Sequence, residues 1–350
     1  MKCYQVDPIQ DPRWATFTGW HPRASIFHSV AWLTALNQTY GYQAIVFTTS
    51  PPDKELEDGL AFCQINSWLT GNRLVSLPFS DHCELLFDSR EQLDLLISHL
   101  LLEFKLKKCK YLELRPVNAD FGSPDDSGEF ASGANFFLHT LDLHGNQDEL
   151  FRKLDKDSVQ RRVRRAARAN LDEKCGASES LLKDFYRLLV VTRQRHRIPP
   201  PPYAWFQNLI RQMGEALEIR LAYQKESPIA AILTLRFRDV VYYKYGCSDV
   251  RFNQFGAMPW LLWNAISSAK SSGATEFDLG RTDANDAGLL AFKNHWVPHP
   301  KRLVYWRFPK GAQAPPSTEG WTSKLAGLAF SNMPAGVLKL AGKVLYRHFG

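Results

Sequence analysis

One order of secondary-structure signals occurs twice along this chain, and it leaves few folds open. Phe27 to Tyr40 has helical spacing and stops at Gly41. Strand-like runs follow at Tyr42–Thr48, Leu60–Ile65 and Leu74–Leu77, the last ended by Pro78. Glu91–Lys107 reads as an amphipathic helix, with Leu93, Leu96, Ile97, Leu100, Leu101 and Phe104 at helical spacing. Tyr111–Leu114 and Phe136–Leu143 read as two further strands.

The second half repeats this order. Leu181–His196 and Tyr203–Met213 read as helices around the rigid break Pro199 to Pro202. Glu218–Tyr223, Ile229–Arg238 and Val240–Tyr245 read as strands, and the turn at Asp239 predicts an antiparallel meander. Ala257–Ser271 is a helix with Pro259 in its first turn, where a missing N–H costs nothing. Thr275–Leu279 is a strand, Ala287–His295 a short helix and Arg302–Phe308 a last strand. The repeat predicts an α/β chain of two tandem domains, 1–150 and 151–310. Each is a mixed, largely antiparallel twisted sheet flanked by helices. A basic helix at 151–170 opens the second domain, and 311–350 forms a basic tail.

Composition supports two folded domains and narrows the chemistry. The 350 residues are 45% hydrophobic and 23% charged, which excludes disordered and low-complexity classes and supplies each domain with a core. The six cysteines (Cys3, Cys63, Cys83, Cys109, Cys175 and Cys247) never form a CxxC pair. That spacing suits neither a disulfide framework nor a zinc site, so no metal is expected and a cytoplasmic setting is. No secretory pattern opens the chain, and no stretch reaches the roughly 20 apolar residues that cross a bilayer.

The charge is concentrated. Residues 151–170 carry eight Lys/Arg and two Asp, and residues 301–350 carry eight Lys/Arg and one Glu. The chain nets +7, so its other 280 residues net −6. Two basic surfaces on an acidic body point to polyanions: phosphates, tRNA or an anionic membrane face. A solvated helix face and a basic tail are the plain alternatives. Residues 334–349 are amphipathic if helical, with Val337, Leu340, Ala341, Val344 and Leu345 on one broad face and Lys339, Lys343 and Arg347 on another. Such a helix lies on an anionic membrane or docks on its own protein, and docking is slightly favoured.

Two segments could carry chemistry. The run from Tyr245 and Ser248 through Gly256 and Ala257 is a strand, a glycine-containing loop and a helix start, whose unpaired N–H groups and dipole suit a phosphate or carboxylate. The second is the strand end at Gly280 with the loop and helix after it. There Arg281 could grip an anion, Lys293 could face a developing oxyanion and Asp283 could orient or deprotonate an amine. The plain readings are a turn former for Asp283, a solvated lysine and a core position for Trp296. Ser80, Asp81 and His82 follow a strand end and could line a substrate pocket. His82 and Cys83 are adjacent on extended chain, so they point apart and do not form a nucleophile–base pair.

The run Asp278–Asp283 (DLGRTD) with Gly288–Trp296 (GLLAFKNHW) resembles the C-terminal signature of the FemABX-like branch of the GNAT acyltransferase superfamily. The segments YGCSD at Tyr245 and GAMPWLLWNAI at Gly256 fit the same branch, as do FHSVAWL at Phe27 and GNRLVSLPFSD at Gly71. The likeness spans roughly residues 20–310 and extends to FemAB-like proteins of exopolysaccharide and cell-envelope systems. It implies twin GNAT-like domains and acyl or aminoacyl transfer to an amine or hydroxyl of a peptidoglycan or polysaccharide precursor. It implies acyl-CoA or aminoacyl-tRNA as donor, with Lys293, the lysine of the Phe-Lys pair, at the oxyanion. Arg281, Tyr245, Ser248 and Trp296 are then expected on the substrate, and Gly256, Ala257, Arg161 and Arg165 on the donor phosphates. Of the acetyl-CoA loop pattern Arg/Gln-x-x-Gly-x-Gly/Ala only Gly256 remains, and the long coiled-coil arm of some members is missing. A non-catalytic scaffold of an envelope assembly system is the alternative. A nucleic-acid binder working through Arg161–Arg168 has thin support without interleaved aromatics, and no DNA partner is expected.

Overall fold

The computed structural model describes residues 2–117, 130–312 and 335–349. The chain divides into two compact units. Among the described residues the first holds 2–117, 130–136, 303–312 and 343–349, and the second holds 137–302 and 335–342. The last strand goes with the first unit, because it pairs there rather than with the half that precedes it.

In the first unit the elements are β1 (Tyr4–Val6), α1 (Pro12–Trp20), α2 (Val30–Tyr40), β2 (Gln43–Thr48), β3 (Leu60–Ile65), β4 (Arg73–Val75), α3 (Arg90–Leu106) and β5 (Tyr111–Leu114). Strand β6 (Ala131–Asp142) crosses the boundary, and β12 (Lys301–Phe308) returns to lie antiparallel to β5, with Trp306 opposite Leu114. The strand order is β1-β2-β3-β4-β5-β12, antiparallel except for the β4–β5 pair. Local sequence sets the helix ends. The Ser29 hydroxyl accepts from Trp32 N–H to open α2, and Gly41 closes it at φ 73°. Ser89 and Gln92 form a capping box on α3. The apolar face of α3 packs through Leu93, Leu96, Ile97, Leu100 and Phe104 onto Phe47, Phe62 and Leu112 of the sheet. Strand β1 and helix α1 were not legible from periodicity; α1 is set by Asp11 capping Arg13 N–H and by Pro12 in its first turn.

After β4 the chain takes two positive-φ turns at non-glycine residues, Leu77 (φ 59°) and Phe79 (φ 60°). Buried Arg115 holds this segment: its Nη1 donates to Leu77 O (2.9 Å) and Ser80 O (3.3 Å). Glu113 secures Arg115 in turn, 2.8 Å from Nη2, and accepts from Arg307 Nε at 2.7 Å. Burial alone would raise the Glu113 carboxyl, but the two guanidinium groups hold it below the usual carboxylate range.

The second unit holds α4 (Gln147–Lys153), α5 (Arg161–Arg168), β7 (Asp172–Gly176), α6 (Glu179–Arg195), α7 (Tyr203–Met213), β8 (Leu217–Gln224), β9 (Ser227–Phe237), β10 (Val240–Ser248), α8 (Ala257–Ser271), β11 (Glu276–Asp283) and α9 (Ala287–Asn294). Its strand order is β6-β11-β10-β9-β8-β7. The meander β8-β9-β10 is antiparallel as expected, and β10 runs parallel to β11. Segment 151–170 is not one basic helix: a π-helical turn at Lys156–Gln160 separates α4 from α5. Strand β7 reads DEKCG, with none of the apolar alternation that marks a strand; it is held as the edge beside β8. Strand β11 passes through Gly280 (φ 73°) to Asp283, so this glycine bends the strand where the sequence suggested an end.

The tail forms α10 (Ala335–Leu345), and it docks on the protein through a different face from the one its sequence proposed. Leu338 is fully buried, and a Cβ at Gly342 would overlap the carbonyl oxygen of Pro200. In the first unit the His348 carbonyl accepts from Arg73 Nη2 (2.6 Å) and Thr70 Oγ1 (2.8 Å). A glycine four residues after Leu338 permits that close approach, which leaves Val337, Leu340 and Val344 outside.

The Glu113 triad makes the first unit acid-sensitive in a defined way. A carboxyl held low in the folded state contributes stability above the unfolded value near 4.5 and loses it as pH falls through the lower folded value. Denaturant titrations of Glu113→Gln are expected to show a loss of about 3 kcal/mol at neutral pH and a flatter stability profile between about pH 5 and pH 3 than the parent.

Candidate functional site

The second unit contains a cavity of about 280 Å³, and the strand pairing explains where it opens. Strand β10 is laddered to β9 along its length, from Val240–Phe237 to Ser248–Ala230, with a bulge between Tyr243 and Tyr245. Its parallel pairing with β11 covers only Val240–Tyr242 against Glu276–Asp278, although both strands run on. The far end of β10 therefore has only β9 as a strand partner. Gly246, Cys247 and Ser248 line the cavity there, with Ile229 and Ala230 of β9. Gly246 leaves room for the Tyr243 hydroxyl, which a Cβ there would displace.

Helix ends form the walls. Gly256 adopts φ 75° and starts α8, so Ala257 and Met258 bring first-turn N–H groups to the cavity. A side chain at Gly256 would lie 2.6 Å from Arg162 O, so glycine lets α5 approach α8 and delivers Arg162 to the wall. The last turn of α6 adds Thr192, Arg195 and His196. Thr192 Oγ1 accepts from Ser248 N–H at 3.0 Å, tying α6 to β10. Leu289 and Phe292 of α9 supply apolar surface.

The titratable groups on this wall differ in readiness. Burial pushes the Cys247 thiol and the Tyr243 hydroxyl up, so both stay protonated. Asp249 is gripped by Arg251, at 2.6 Å to Nη2, which holds its carboxyl below the usual range. Desolvation, then Arg195 and Arg193, lowers the His196 imidazole, which favours its neutral form. Arg195 Nη2 lies 3.2 Å from its Nε2.

The residues singled out from sequence divide into those at the cavity and those elsewhere. Ser248, Gly256 and Ala257 line it. Tyr245 lies on the other side of β10, accepting from Trp205 Nε1 at 2.9 Å among Phe185 and Phe206. Arg161 pairs with Asp157 (2.8 Å) in solvent, and Arg165 donates to Gln254 O at 3.3 Å; their neighbour Arg162 reaches the wall instead. Asp283 accepts from Asn285 N–H at 2.8 Å as a turn former. Trp296 is a buried core residue. Lys293 is 3% exposed, and its Nζ donates to Gly280 O (3.0 Å) and Arg281 O (2.8 Å). Thus α9 turns Phe292 to the cavity and Lys293 to the end of β11, beside buried Asp278 and His139, whose Nε2 meets Asn294 Oδ1 at 2.9 Å. In the first unit Ser80 donates to Leu77 O (2.6 Å), the Asp81 carbonyl accepts from Tyr305 Oη (2.7 Å) and His82 packs edge-on to Phe27. Cys83 does meet an imidazole there, that of His28 at 3.3 Å. Burial lowers His28 to about 4 and pushes the thiol up, so the pair is neutral and enclosed rather than nucleophilic.

Arg162, Arg195 and His196 were not among the residues singled out. The basic run marked the right helix but not the right arginine, and Arg195 with His196 looked like an ordinary basic helix end. Among the described residues no group of three or more His, Cys, Asp or Glu is placed to hold a metal ion.

Comparison with known proteins bears on the fold. Residues 156–294 match the family model of an acetyltransferase (GNAT) domain. No curated protein matches the chain. Among solved structures the fold is similar to that of FemX, at 15% identity and TM-score 0.68, covering 88% of this chain and 97% of that one. It is similar to the C-terminal domain of a putative lysylphosphatidylglycerol synthetase from Agrobacterium fabrum, at 13% identity and TM-score 0.58, covering 95% and 97%. A tandem GNAT protein from the clavulanic acid biosynthesis pathway is also similar, at 8% identity and TM-score 0.58, covering 87% and 98%. The family match falls on the unit that holds the cavity, and the fold of the chain is similar to that of FemX.

Proposed function

We propose that the chain transfers an acyl or aminoacyl group to an amine or hydroxyl of a cell-envelope precursor, and that the cavity beside β10 receives the donor. The observation that carries this reading is the wall itself: Arg162, Arg195 and the N-terminus of α8 converge on one concave surface. Two guanidinium groups and a helix dipole favour an anionic donor, an acyl-CoA or an aminoacyl-tRNA. Similarity to FemX and to a lysylphosphatidylglycerol synthetase domain supports an envelope precursor as acceptor.

The reaction is direct carbonyl substitution. The acceptor nitrogen or oxygen bonds to the donor carbonyl carbon and gives up one proton. The thioester or ester bond breaks, and the leaving sulfur or oxygen takes a proton. His196 accepts the acceptor's proton, being the neutral base on this wall. Holding donor and acceptor in register supplies much of the acceleration, since well-oriented intramolecular attack is worth roughly 7–11 kcal/mol. Lys293 is a positioning residue: with Nζ on two carbonyls it fixes the end of β11 and keeps a positive charge buried there.

Labelled acetyl-CoA and charged tRNA, each incubated with protein and precursor, decide between transfer and a scaffold, which would release neither label. Arg162→Ala with Arg195→Ala is expected to weaken donor binding roughly tenfold to a hundredfold with little change in melting temperature. The pH profile of kcat/KM is expected to fall on the acid side, below the ordinary histidine value, as His196 protonates; His196→Gln removes that limb. Lys293→Met is expected to lower kcat by roughly a hundredfold with the donor KM nearly unchanged, whereas a purely structural lysine would lower only the melting temperature.

A further inference from the structure

We propose that the outer face of α10 beds the protein on an anionic lipid bilayer. Val337, Leu340 and Val344 follow i, i+3, i+7 and form one stripe on the side of α10 opposite Leu338 and Gly342. Leu340 is 62% exposed. Exposed Lys339, Lys343 and Arg347 lie along one side of the stripe, and residues 335–349 contain no Asp or Glu.

Two features select lipid as the occupant. An apolar stripe bordered by cationic side chains complements a surface that is apolar below and negative above. The stripe is the outer side of a helix whose other face is buried through Leu338 and Gly342, so it can lie flat in an interface. No helix of the described residues is long and apolar enough to cross a membrane, so the contact would be peripheral. This inference stands apart from the donor site, since none of these residues lines the cavity.

The test is cosedimentation of the full chain with vesicles of phosphatidylglycerol and phosphatidylcholine, and with phosphatidylcholine alone. Binding is expected to the mixed vesicles, to weaken at high salt, and to fall roughly tenfold or more in Leu340→Glu with Val344→Glu and in Lys339→Gln with Lys343→Gln. These side chains are exposed, so melting temperatures and transfer to a water-soluble acceptor should match the parent. Absence of binding to the mixed vesicles, or binding that both variants leave intact, overturns the proposal. Sedimentation velocity distinguishes a second copy on this face: a dimer abolished by Leu340→Glu with Val344→Glu would also overturn it.

Discussion

Past Tyr242, β10 has a neighbouring strand on one side only, and the candidate site follows from that. The parallel pairing with β11 ceases there, while the ladder to β9 continues through a bulge to Ser248. A strand edge without a neighbouring strand takes other partners, as Ser248 takes Thr192, and makes room for a cavity. Three helix ends converge there. Gly256 turns the chain so that the first turn of α8 faces the opening, and its missing side chain admits α5. The C-terminal turn of α6 is tied to the same strand through Thr192 and Ser248.

The electrostatics divide into a wall and an interior. On the wall, Arg162, Arg195 and a neutral His196 meet the cavity, a combination suited to an anionic donor and a proton to be removed. In the interior, Lys293 is spent on two carbonyls, next to Asp278 and His139. A charge so placed acts on the reaction through the strand end it fixes. In the first unit the corresponding care is given to Arg115, Glu113 and Arg307, which hold a strained turn.

Much of the fold was legible because it rests on periodicity and breakers. The face of α3, the meander β8-β9-β10 and the glycine stop of α2 all follow from local chemistry. What periodicity missed was held by pairing instead. Strand β7 is polar and gains its shape from β8, and β11 runs on through Gly280 past its pairing with β10. The site was legible by neighbourhood rather than by residue. Gly256, Ala257 and Ser248 were found from the strand–loop–helix pattern. Which arginine of a run of five faces inward depends on helix phase, which the approach to Gly256 sets and the sequence does not display. On α10 the packing face went to Leu338 and Gly342, because close approach outweighed the wider apolar arc.

Amide hydrogen exchange with and without donor addresses the central claim most directly. With acetyl-CoA or an aminoacyl-tRNA present, the amides of Gly246–Cys247 and of Ala257–Met258 should exchange more slowly, together with the last turn of α6. Unchanged exchange at those amides, with protection arising elsewhere in the chain, would contradict the assignment of the cavity beside β10 as the donor site.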